Sequence, residues 1–358
     1  MTHRTPRYCQ LAWRAASRLG ILLIGAWGAL ALWFQAPGPV PRLVLGAWCA
    51  LTVLALAAPW LPRGRRAAHL LAAAGLALLL AWWTTLQPSH ERVWADDVAR
   101  LLESEVEGSR VVLRNVRNFD WRTETDYSAR WETREYNLDQ LATADLILSY
   151  WMGPHIAHTL VSFGFDDGRQ LVFSVEIRKE NSESFSALGG FFRQFETVLI
   201  AAEENDIIRT RTNARGEDVY LYRLDVERDA LHRLFLGYLD EAESIRRAPR
   251  FYNTLTSNCT TIIYQLARGI APALPLDYRL LLSGYFAEYV HDVGALVPGH
   301  DYAQLQAAGR ISDRARAFTG PPEDFPEAIR AGVPGIKEPA RPCPSCNVCS
   351  PQACLSPR

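Results

Sequence analysis

The chain has 358 residues, with 38 Lys and Arg against 39 Asp and Glu and a formal net charge of −1. That balance removes any electrostatic case for nucleic acid as a partner. The length allows one sizeable domain with an anchor, or two small domains. Residues 19–86 are almost purely apolar, while the rest reads as a soluble protein rich in Arg, Glu and Asp.

Three apolar runs open the chain, at residues 19–34, 43–61 and 67–86. A spanning helix needs about 20 apolar residues, with about 17 as a lower bound. The second and third runs qualify directly, and Ala15, Ala16 and Gln35 extend the first. A cleaved signal peptide is the alternative for the first run; two further spans following at once favour an anchor. Arg4, Arg7, Arg14 and Arg18 precede the first run, and Arg63, Arg65 and Arg66 fill the loop between the second and third. Only Arg42 lies near the other loop. Basic residues stay on the cytoplasmic side. The expected topology is a cytoplasmic N-terminus (1–18), a three-helix anchor (19–86), an extracytoplasmic domain (87–338) and a Cys-rich tail (339–358). Trp82 and Trp83 fall at the outer interface.

Residues 88–94 read as an exit linker, and 94–102 as the start of a short helix. Residues 110–118 alternate into a strand. Residues 120–133 are polar and aromatic, with Trp121, Tyr127 and Trp131, and 144–151 form an apolar strand. Residues 156–165 and 170–179 form the clearest hairpin, and 191–202 lead into another strand. A turn at 213–216 precedes a strand at 219–224. A helix covers 227–248 by its i, i+3, i+4 pattern, a second begins near Cys259, and a third covers about 280–291. Strands first and helices later predict an α+β domain with a mostly antiparallel sheet.

In the hairpin, Ala157, Val161, Phe163 and Phe165 must share a face with Leu171, Phe173, Val175 and Ile177, which demands an even-sum register. A three-residue Asp166-Asp167-Gly168 loop, with Gly168 left-handed, gives that register. It sets His158 opposite Glu176 on the polar face; a two-residue Asp-Gly turn would separate them.

Cys259 stands at the head of a helix that Thr256, Ser257 or Asn258 can cap. In a first helical turn the backbone N–H groups and the dipole favour a thiolate, the setting of a nucleophilic cysteine with a base at hand. His158 is the natural base and Glu176 its orienter. His155 competes from just before the strand, Glu176 has an alternative partner in Arg178, and a plain buried cysteine remains open. The backbone N–H of Cys259 and the Asn258 side chain are candidate oxyanion donors. Tyr150, Trp151, Trp131 and Phe119 are candidates to line an acyl groove or to pack the core. Cys343, Cys346, Cys349 and Cys354 in the tail suit two disulfides, a bound metal or free thiols. No cofactor is implied.

The motifs Arg117-Asn-Phe-Asp-Trp121, Trp131-Glu-Thr-Arg134, Ser149-Tyr-Trp151, His158-Thr-Leu-Val-Ser-Phe163, Phe173-Ser-Val-Glu-Ile-Arg-Lys179, Tyr252-Asn253 and Asn258-Cys259-Thr-Thr261 together resemble the Lnb N-terminal periplasmic domain family, over about residues 88–337. The resemblance implies a permuted papain-like fold of the NlpC type, with His158 before Cys259 as its catalytic pair. It also implies a bacterial inner-membrane protein with a periplasmic domain. The implied activity is a thiol acyltransferase or hydrolase acting on acyl chains of lipoproteins or membrane lipids. An amidase or peptidase cutting cell-wall peptide and a non-catalytic tethered binding module are the alternatives.

Overall fold

A computed structural model describes residues 7–35, 39–60 and 64–336; Cys343, Cys346, Cys349 and Cys354 lie outside these residues. The apolar runs form α1 (Arg7–Gln35), α2 (Pro39–Ala57) and α3 (Arg65–Thr85). Stretches of 25, 19 and 20 residues within and just beyond them are long and apolar enough to cross a membrane. Small residues let the first two helices approach closely. A Cβ on Gly28 would come within 2.5 Å of Trp48, and the Trp48 indole donates to Gly25 O at 2.9 Å. Leu32, Trp48 and Leu79 form the buried seam, while Leu22, Leu23, Leu70 and Leu78 face outward.

The strands are β1 (Glu103–Glu107), β2 (Arg110–Arg117), β3 (Asp120–Trp121), β4 (Tyr127–Ser128), β5 (Trp131–Asn137), β6 (Leu141–Tyr150), β7 (Ala157–Phe165), β8 (Gln170–Arg178), β9 (Glu196–Ala202) and β10 (Asp218–Arg223). The main sheet runs β1-β2-β9-β8-β7-β6-β10, with β5 added on β2, and β3 and β4 pair separately. Pairing is antiparallel for β6 with β7, β7 with β8, β6 with β10 and β2 with β5, and parallel for β2 with β9. The remaining helices are α4 (Glu204–Arg209), α5 (Arg228–Arg247), α6 (Cys259–Ile270), α7 (Phe286–Asp292), α8 (Tyr302–Gly309), α9 (Ser312–Ala317) and α10 (Phe325–Arg330). The α+β expectation with a mostly antiparallel sheet holds.

The chain divides into two compact units: residues up to 103 with 175–200 and 239–263, and residues 104–174 with 201–238 and from 264 onward. In the first, the segment after α3 is tied down by a buried arginine. Arg178 donates to Val98 O at 3.0 Å and Ala99 O at 2.6 Å, lies 3.0 Å from His90 Nδ1 and stacks 4.3 Å over the Trp94 ring. The helix expected over 94–102 shrinks to one 3-10 turn, Asp96–Val98, because Arg178 takes the carbonyls that a continuing helix would use. Residues 103–107 become β1, which the polar sequence did not suggest.

In the second unit the hairpin has the even-sum register, from Leu160↔Ser174 to Gly164↔Gln170. Phe165 N donates to Arg169 O and Gly168 N to Phe165 O, closing the three-residue loop with Gly168 at φ 87°. Phe163 and Phe173 pack on Phe235 and Tyr238 of α5, with ring centroids 4.9–5.8 Å apart. The other face is polar but not open to solvent. Ser162, Asp145 and Glu204 are buried there around Arg330, which reaches Asp145 Oδ2 at 2.8 Å and Glu204 Oε1 at 2.6 Å. Arg223 supplies a second cation to Asp145 at 2.5 Å.

Candidate functional site

Cys259 is the first residue of α6, 6% exposed and not part of a disulfide. Asn258 caps this helix. Its Oδ1 accepts from Thr261 N at 2.9 Å, and Thr261 Oγ1 accepts from Asn258 N at 2.9 Å. These reciprocal bonds satisfy orphan donors of the first turn. Asn258 Nδ2 donates to Thr254 O at 2.7 Å, so the side chain expected at an oxyanion is mainly a structural clamp with one amide hydrogen to spare. The preceding loop is closed by Asn253, which exchanges backbone bonds with Ser257 and accepts from Leu255 N and Thr256 N at 3.0 Å each. Ile262 and Ile263 face the core as the apolar pattern required.

Tyr252 joins Cys259 and Glu176. Residues 250–252 pair with the start of β9: Thr197 N donates to Arg250 O at 2.8 Å and Tyr252 N to Phe195 O at 2.9 Å. Burial pushes the Tyr252 hydroxyl well above its ordinary range, and the neighbouring Cys259 and Glu176 push the same way. The Cys259 backbone N–H and side chain both hydrogen-bond at this hydroxyl. The phenol is therefore neutral and placed to donate. Arg178, the alternative partner of Glu176, directs Nε, Nη1 and Nη2 to Val98, His90 and Ala99.

In the second unit, His158 is half-buried on β7, paired with Ser149 of β6. Its Nε2 lies 2.7 Å from Ser174 Oγ. Ser174 pairs with Leu160, so it stands diagonal to His158, within reach across the strands. His155 lies before β7, exposed, with Nδ1 2.6 Å from the Tyr285 hydroxyl.

The groove expected from the aromatics does not form as one surface. Phe119 is fully buried, and Trp131 packs edge-on against it at 5.4 Å, in a cluster with Trp121 and Tyr127. Tyr150 lies at the end of β6, donating to Gly284 O at 2.6 Å and meeting Tyr220 edge-on. Strand order separates them: β5 pairs with β2, whereas β6 lies between β7 and β10. Aromatic content alone did not distinguish core from lining.

Among the described residues no group of three or more His, Cys, Asp or Glu side chains is placed to hold a metal ion. Residues 127–284 match the family profile of the Lnb N-terminal periplasmic domain. No curated protein and no solved structure matches the chain.

Proposed function

From the membership of residues 127–284 in the Lnb N-terminal periplasmic domain family, we propose that this membrane protein is a thiol acyltransferase or hydrolase whose nucleophile is Cys259. The observation that carries the reading is the setting of the thiol. It is a buried cysteine outside any disulfide, at the first position of a capped helix, with a neutral phenol and a carboxylate beside it.

In the proposed reaction Cys259 sulfur bonds to the carbonyl carbon of an acyl ester, and His158 takes the thiol proton. In this reaction His158 Nε2–H donates to Ser174 Oγ, 2.7 Å away, and Nδ1 takes the proton. The Tyr252 hydroxyl and the second Asn258 amide hydrogen stabilise the oxyanion, while the Cys259 backbone N–H donates to the Tyr252 oxygen and orients that phenol. Collapse breaks the ester bond, and His158 returns the proton to the departing alcohol oxygen, leaving a thioester on Cys259. An acceptor amine or water then attacks the thioester, giving its proton to His158, and the thiol is restored. Glu176 supplies negative charge that stabilises the imidazolium.

The papain-like topology belongs to this proposal. So do the inner membrane and the cytoplasmic N-terminus, which rest on the sequence positions of Arg14 and Arg18 before the first apolar run and of Arg63, Arg65 and Arg66 between the second and third. Tethering by three apolar helices favours acyl chains of membrane lipids or lipoproteins as substrate. The test is labelling of the membrane-embedded chain with an activity-based acyl probe, parent against Cys259→Ser and His158→Ala. The reading expects labelling of the parent alone. Equal labelling of all three ends it, and labelling only by a peptide-amide probe moves the substrate class to cell-wall peptide.

A further inference from the structure

Residues 183–194 of the first unit form a closed loop with an open apolar tip. Gln194 Nε2 donates to Glu183 Oε1 at 3.3 Å across its feet. Residues 184–192 carry no charged side chain, and Phe185, Leu188 and Phe191 are 54%, 57% and 36% exposed. Nearby, Thr254 Oγ1 donates to Ala187 O at 2.9 Å, and a Cβ on Gly190 would collide with Thr254. The Cys259 loop thus packs on this one and adds Leu255, 46% exposed. Clustered large apolar side chains left open mark an interaction surface.

The anchoring of the loop identifies its partner. Gln35, the last residue of α1, donates to Phe192 O at 2.6 Å, and Phe34 stacks on Phe192 at 5.6 Å. Near the end of α3, Arg193 donates to Trp83 O at 2.9 Å and lies 4.8 Å over the Trp83 ring. Both apolar helices therefore end at this loop, and Trp82 and Trp83 mark the level where indoles meet lipid headgroups. The tip also satisfies its own backbone. Gly189 N donates to Ser186 Oγ at 3.0 Å, Gly190 N to Ser186 O, Phe191 N to Leu188 O and Phe192 N to Gly189 O. Such internal pairing lowers the cost of leaving water.

We propose that residues 185–191, together with Leu255, insert into the interfacial layer of the lipid bilayer as a wedge beside the spanning helices. The occupant of this surface is phospholipid, continuous with the lipid that covers Leu78 and Leu70. The proposal is independent of any chemistry at Cys259.

The test places p-benzoylphenylalanine singly at Leu188, Phe191 and Leu255 of the full chain. Leu78 serves as a lipid-facing control and Glu124, an exposed polar residue, as a water-facing one. The protein is reconstituted in phosphatidylethanolamine and phosphatidylglycerol vesicles with an alkyne-tagged phospholipid, then irradiated. Crosslinking to lipid at 188 and 191 is expected at least about tenfold above that at 124 and near that at 78. Crosslinking at 188 and 191 no higher than at 124, with 78 still labelled, overturns the proposal. So does crosslinking of 188 and 191 to a second copy or another protein instead of lipid.

Discussion

Gly284 offers a sharp test of how the second unit holds the strand that carries His158. Gly284 N donates to His155 O at 3.0 Å, Gly284 O accepts from the Tyr150 hydroxyl at 2.6 Å, and the adjacent Ser283 Oγ accepts from Ala157 N at 3.0 Å. A Cβ on Gly284 would sit 2.7 Å from the His155 carbonyl carbon and closer still to Pro154 O. Both are backbone atoms, so no flexible side chain can give way. Overpacking of this kind costs about 1–3 kcal/mol. Losing the two hydrogen bonds that Gly284 itself makes adds about 0.5–1.5 kcal/mol each. Gly284→Ala should therefore destabilise by about 2–6 kcal/mol on these terms and loosen residues 155–157, next to His158. Gly269, in α6, is the matched control, since its Cβ would meet nothing within 4 Å. There the same substitution should stabilise by about 0.5–1 kcal/mol through helix propensity. Urea unfolding of the two variants in detergent, followed by tryptophan fluorescence, with hydrogen exchange at Ala157, reads both effects. Equal stabilities for the two variants would refute the clamp.

Arg330→Met strands Glu204 beside Ser162 while Asp145 keeps Arg223, so the loss should be about 3–5 kcal/mol; adding Glu204→Gln in the same chain should recover part of it in the same unfolding assay. Burial raises the Glu183 carboxyl and outweighs the hydrogen bonds from the Glu180 backbone and the Gln194 side chain, which pull it down. A carboxyl raised in the folded state costs stability at neutral pH, and that cost fades as pH falls through the folded value toward the unfolded one. The parent should therefore gain stability on mild acidification and Glu183→Gln should gain less, measured by unfolding at stepped pH. Tyr252→Phe should slow acyl transfer by about 10²–10³-fold if its hydroxyl donates to the oxyanion, while Ile263→Val in α6 leaves the rate near that of the parent.

Features with a short repeat were legible in the sequence. The anchor followed from uninterrupted apolar runs, and the hairpin register followed from parity, because one residue of slip would have turned Phe163 and Phe173 away from Phe235. The start of α6 near Cys259 followed from the capping residues Thr256, Ser257 and Asn258, and the structure assigns the cap to Asn258 through its bonds with Thr261. What escaped reading was set by partners remote in the chain. Tyr252 reaches Cys259 because residues 250–252 pair with β9, more than fifty residues earlier by their numbers. Ser174 meets His158 on a diagonal, which a search for directly opposed pairs overlooks. The polar face of the hairpin turned out to be buried because Arg330, near the end of the described chain, brings a cation to Glu204 and Asp145. Helices α8, α9 and α10 span only six to eight residues each, too short for a periodic signal. Asn115, at φ 66°, lies where the β2–β5 register shifts, and nothing in the alternation of β2 announces it.

The central claim is covalent chemistry at Cys259, and a trapped intermediate tests it most directly. The full-length protein would be incubated in vesicles with phospholipid and a diacylated lipopeptide, quenched in acid, digested and analysed by mass spectrometry. The account predicts a fatty-acyl adduct on the peptide containing Cys259 that hydroxylamine removes, that is missing in Cys259→Ala, and that forms far more slowly in His158→Ala. An unmodified Cys259 peptide under conditions where acyl chains are nonetheless transferred or released would contradict it.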